Sequence, residues 1–98
     1  MKKLILVSFL LLVAAITIRA QEIFDAVKEN DLAKVKALVE KDASLVNLKD
    51  AAGNTPLHQA AITGSVPTVE YLLSKGAEID AVNTRLNTPL HEALRSEK

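Results

Sequence analysis

Thr55-Pro56-Leu57-His58 recurs as Thr88-Pro89-Leu90-His91, 33 residues further along a chain of 98. The flanks keep the same offset. Asp50 matches Asn83, Ala52 matches Arg85, Asn54 matches Asn87 and Ala60 matches Ala93. A four-residue identity alone could arise by chance, but not readily together with its turn and its alanine. A fixed period between about twenty and fifty residues is the mark of a solenoid, in which each unit buries its apolar face only against its neighbours. The repeated stretch also explains itself locally. A threonine hydroxyl can accept from an orphan N–H of a first helical turn, and proline next to it lacks an N–H that would be unpaired there. Asp50-Ala51-Ala52-Gly53 before it reads as a tight turn, opened by an acid and closed by a glycine.

Outward from this stretch the chain reads as short helices between turn signals. Leu57, Ala60 and Ala61 give one helix a narrow apolar face, which Gly64 ends. Pro67 falls in a first turn, Val69, Leu72 and Leu73 form an expected inward stripe, and Gly76 supplies a left-handed residue after it. Upstream, Ile23, Phe24 and Val27 share one face of a short helix that Asn30-Asp31 breaks. Leu32, Val35, Leu38 and Val39 are spaced for a second helix, ended by Lys41-Asp42 and followed by an irregular stretch to Asp50.

These units resemble the ankyrin repeat. The resemblance rests on Asp50, Gly53, Thr55-Pro56-Leu57-His58, Ala60-Ala61, Gly64, Val69, Leu72-Leu73 and Gly76-Ala77. It implies an all-α solenoid of helix-turn-helix units joined by short β-hairpin-type turns. Residues 50–82 are a full repeat. Residues 22–49 are a degenerate first repeat, with Val35 and Leu38-Val39 matching Val69 and Leu72-Leu73 after a one-residue insertion near Ser44. Residues 83–98 are the first half of a third. Three positions depart from the pattern. Leu86 stands where Gly53 stands one repeat earlier, at a cost of about 1–2 kcal/mol if the site needs a positive φ, so the second turn is expected to be reshaped. Leu94 replaces the second alanine, and Glu97 replaces the glycine. With two and a half repeats, the chain is expected to be a fragment of a longer array.

Residues 1–20 form a separate expectation. Lys2-Lys3, an apolar run from Leu4 to Ile18 interrupted only by Ser8 and Thr17, and the small Ala20 have the layout of a secretory signal peptide cleaved after Ala20. At about 1.5 Å per residue the run is roughly 22 Å as a helix, short for a span. An uncleaved N-terminal anchor is the alternative. The product is expected to be periplasmic or secreted. Of the 12 basic side chains three lie in this segment, leaving nine against 12 acids beyond it, so there is no cationic footprint for nucleic acid. The basic residues are also too scattered for membrane attachment after cleavage. Cysteine is absent.

No catalytic constellation is visible, and no enzyme activity, cofactor or metal is expected. His58 and His91 occupy equivalent points of successive units, where packed helices about 8–10 Å apart do not bring two imidazoles onto one ion. The resemblance implies a structural histidine instead, bonded within its turn and to the next repeat. It further implies that a protein partner meets the hairpin tips and the exposed inner face of each first helix. Carried over by motif, the tips include Lys49, Asn54, Thr84, Arg85 and Asn87, and the inner-helix positions are Lys28, Glu29, Ile62 and Thr63. The expected function is a non-enzymatic, exported protein-binding module. Alternatives are a capping or spacer segment of a longer exported array, and an inhibitor or immunity protein acting outside the cytoplasm.

Overall fold

The computed structural model describes residues 20–96, and the regular structure there is helical throughout. Helix α1 covers 20–28, α2 Leu32–Lys41, α3 Pro56–Thr63, α4 Val66–Ser74 and α5 Pro89–Ser96, with a 3-10 turn at Ala43–Asn47. Residues 1–19 of the expected signal segment lie outside the described residues, as does Glu97. Among the described residues no helix is long and apolar enough to cross a membrane.

The helix ends follow from side-chain chemistry. Thr55 caps α3: its hydroxyl accepts from the His58 N–H at 3.3 Å, while the Thr55 N–H donates back to His58 Nδ1 at 3.1 Å, closing a reciprocal capping box. Asp31 and Ser65 cap α2 and α4 in the simpler one-way form. At the other ends the chain turns left-handed at Asn30, Gly64 and Gly76. The N–H groups of Asp31, Ser65 and Ala77 then reach five residues back to Ala26, Ala60 and Leu72, satisfying carbonyls the helices leave open.

The core joins α1, α2, the 3-10 turn, α3 and α4 through Ile23, Phe24, Val27, Val35, Val39, Leu45, Val46, Leu57 and Leu72, all buried. Each such side chain contributes about 1.5–3 kcal/mol by leaving water. Two expectations are corrected. The stretch after Asp42 is not irregular: Asp42 accepts from the Ser44 N–H and caps the 3-10 turn, which drives Leu45 and Val46 into the core. Leu73 is not part of the inward stripe but 37% exposed, and Thr68 is fully buried in that stripe's place, its hydroxyl accepting from Ser65. A threonine fits there because the cap serine satisfies its oxygen. On the outer layer Tyr71 of α4 sits beneath the ammonium groups of Lys36 and Lys75, 5.6 and 5.8 Å from the ring centre. Burial, with the charge of Glu40, pushes its phenol pKa up.

The two turns, residues 50–54 and 83–87, have the same construction. Each has a hairpin-like closure, Asp50 N–H to the Asn54 carbonyl and Asn83 N–H to the Asn87 carbonyl. In each, one side-chain oxygen gathers two N–H groups, those of Ala52 and Asn54 onto Asp50, and of Arg85 and Asn87 onto Asn83. The second turn is not reshaped by Leu86. The leucine adopts φ +61° where Gly53 has φ +78°, and both donate back to the first residue of their turn at 2.9 Å. Gly53 is constrained twice, since a Cβ there would lie 2.9 Å from the Thr84 nitrogen of the next turn. Leu86 is 77% exposed.

Candidate functional site

The tip residues do not stand free in solvent. Most of them bind one turn to the next. The Thr84 N–H and hydroxyl both donate to the Ala52 carbonyl at 3.0 Å. The Lys49 ammonium reaches the Val82 carbonyl at 3.3 Å. Asn54 accepts from the Asn83 amide at 2.9 Å. Asn87 offers its carbonyl to His58 and its amide to Glu92. The effect is a fixed row of tips whose spacing is set by side chains and not by packing alone.

His58 is the hinge pin between the two units that carry the motif. Its Nδ1 accepts from the Thr55 N–H and hydroxyl, so the ring proton lies on Nε2, which donates to the Asn87 carbonyl at 2.8 Å. The ring is fully buried and both nitrogens are used. His91 repeats the inner half of this arrangement with Thr88, at 3.2 and 2.8 Å, but it is exposed and its Nε2 has no partner among the described residues. Among those residues no three His, Cys, Asp or Glu side chains gather as a metal site.

Lys28 and Lys49 line an open cleft of about 520 Å³, between α1 and the stretch leading into the first turn. Gln21, Phe24 and Asp25 form one wall, and Leu48, Asp50 and Ala51 the other. Glu29 is exposed just beyond α1. On α3, Ile62 is half-buried, while Thr63 is exposed and returns its hydroxyl to the Gln59 carbonyl at 2.9 Å. Arg85 projects from the second turn with its side chain 57% exposed.

Sequence reasoning passed over Glu92 and Arg95. Glu92 is 5% exposed, and its Oε1 accepts from the amides of Asn83 and Asn87 at 2.8 and 2.9 Å. Those amide bonds hold its carboxyl pKa below the usual value, aided by Arg85 and Arg95 and opposed by burial. Asn83 is saturated: its amide donates to Asn54 and Glu92, and its oxygen accepts from two backbone N–H groups. Asp50, its counterpart, has no amide to lend. Arg95 stands 33 residues after Ile62, so the repeat offset places an arginine on α5 at the position that Ile62 holds on α3.

With the recurring turn, the capped first helix and the histidine link on view, comparison with known proteins gives the family. The family model of ankyrin repeats, in three copies, covers residues 23–98. The chain belongs to the ankyrin repeat family. It is 42% identical over 65 residues, 66% of its length, to the serine/threonine-protein kinase VIK of Arabidopsis thaliana. It is 42% identical over 52 residues, 53% of its length, to NF-kappa-B inhibitor alpha of Gallus gallus. It is 34% identical over 73 residues, 74% of its length, to the phosphocholine transferase AnkX of Legionella pneumophila. The chain spans 15%, 16% and 8% of those three proteins, so the likeness concerns a small part of each. Ankyrin repeats are protein–protein interaction modules, in enzymes and non-enzymes alike, and the module in this chain is of that kind.

Proposed function

We propose that this chain is an exported, non-enzymatic module that binds a protein partner along the side formed by its turn tips and first helices. The observation that carries the reading is the register of that side. Lys28, Ile62 and Arg95 occupy corresponding places on α1, α3 and α5, and the tips beside them are locked by Thr84, Asn54 and Lys49. A surface held in place before binding loses little side-chain freedom on association. The lysine-led apolar segment ending at Ala20 supports export, to the periplasm or the medium. Pull-down from an envelope fraction tests the binding side. Replacing Arg85 and Ile62 together lowers recovery of the partner, whereas replacing Glu40 and Lys41, both exposed on α2, does not. Equal recovery by the two double variants would refute the assignment.

One observation favours a second reading, a spacer or capping segment within a longer array. Leu86 of the second turn and Leu90 and Leu94 of α5 are 77, 68 and 56% exposed, and His91 Nε2 has no partner among the described residues. The corresponding Leu57 and His58 are buried, His58 with α5's own turn bonded to it. A further repeat fused after Lys98 should raise the thermal midpoint and shield Leu90. An unchanged midpoint would count against this reading.

A further inference from the structure

Arg85 of the second turn and Arg95 of α5 converge on one carboxylate. Arg85 Nη2 lies 3.8 Å from Glu92 Oε1, and Arg95 Nη1 lies 3.5 Å from each Glu92 oxygen. The acid is 6% exposed at its side chain, and the arginines are 57 and 54% exposed. Oε1 already holds two short amide bonds, so the guanidinium contacts are long and mainly coulombic. Glu92 thus sets where both forks sit while leaving most of their N–H groups to solvent. One buried carboxylate under two exposed guanidiniums leaves a local excess of positive charge. At the other end of the row the cleft is lined by two lysines, Lys28 and Lys49, and two aspartates, Asp25 and Asp50, and Lys49 is already bonded to Val82.

We propose that Arg85 and Arg95 form a carboxylate clamp, which takes an acidic side chain of an extended peptide segment of the partner, with an aliphatic neighbour of that acid resting on Ile62. The inference rests on the tip-and-first-helix reading above and specifies the chemistry of its ligand. The planar arginine fork matches a carboxylate with two parallel bonds, and both forks lie within 3.8 Å of a common Glu92 oxygen, close enough to act on one group. Ile62 is half-buried on the adjoining first helix and supplies the apolar contact.

The test is selection of a random twelve-residue peptide library on the full chain, followed by fluorescence anisotropy with the best peptide. The selected peptides should share an Asp or Glu beside an aliphatic residue. R85Q/R95Q should weaken binding about tenfold or more, and changing the peptide's acid to its amide should cost the same, with no further loss when the two changes are combined. R85K/R95K, which keeps charge but not the fork, should fall between. Wild-type circular dichroism in both variants verifies that the fold is kept. Peptides that lose affinity with Ile62→Ser but not with R85Q/R95Q would overturn the clamp and leave the binding side intact. Peptides indifferent to both, or no peptides at all, would overturn the clamp and the binding side together.

Discussion

Thr55–His58 and Thr88–His91 are the same four residues with the same internal bonds, yet one histidine is fully buried and the other is exposed. The difference lies outside the motif. His58 is covered because a second turn brings the Asn87 carbonyl to its Nε2, and His91 has no such carbonyl before it among the described residues. A capping box is therefore a local device that any one unit completes alone. Burial of its histidine is a property of the junction between units.

The contrast is open to direct attack. The largest effect is expected at the glycine that permits the junction. Gly53→Ala meets both an unfavourable left-handed backbone and the Thr84 nitrogen, and should cost about 2–4 kcal/mol in urea unfolding. Next, His58→Ala removes a cap bond and the buried bond to the Asn87 carbonyl, which is left with the Asn83 N–H, for about 1–3 kcal/mol, while His91→Ala should cost less than about 1. Equal losses from the two would erase the distinction between cap and junction. Glu92→Ala should cost about 1–3 kcal/mol, because the Asn83 and Asn87 amides lose their acceptor. Its pH dependence has a defined sign. The carboxyl pKa is lowered in the folded chain, so its stabilisation is complete above the ordinary value of 4.5 and is lost as pH falls through the lower folded value. The gap between wild type and Glu92→Gln, read by thermal melts, should therefore narrow in that acid range. The smallest effect is expected at Leu86→Gly, which relieves a positive φ at an exposed site and should stabilise by about 1 kcal/mol or less.

Much of this architecture could be read from residue order because its determinants are local. Thr55-Pro56 announced a helix start, Gly64 announced a helix end and Gly76 a left-handed one, and Ile23, Phe24 and Val27 sit inside as their spacing required. The failures share a cause, which is that distant partners decide them. Leu45 and Val46 follow a helix end that looks like a loop, and only the Asp42 cap and the core turn them inward. Asn47 gave no signal at all, yet it bonds the Gly76 carbonyl and the Glu78 N–H across the unit boundary. Glu92 drew no reading from the sequence. The legible sign was the change from Asp50 to Asn83, since an asparagine can lend an amide to a carboxylate and an aspartate cannot. The tip positions were placed by motif, but their bonding was not foreseeable: Lys49, Asn54, Thr84 and Asn87 spend much of their polarity on neighbours.

The bonds between units also bear on how the chain finds its fold. Asn47 to Gly76, His58 to Asn87, Asn54 to Asn83, Ala52 to Thr84 and Lys49 to Val82 join residues 29 to 33 apart in sequence. Each therefore closes a loop of nearly the same length, and its entropic cost rises only slowly with loop size. Folding can start at one junction and travel to the next as a zipper does, every new tooth costing the same closure and returning the same set of bonds. In such a chain a weak tooth stops the zip where it stands. The left-handed leucine at position 86 is the kind of residue that would set a local rate, in folding and in unravelling, apart from anything it does to equilibrium stability.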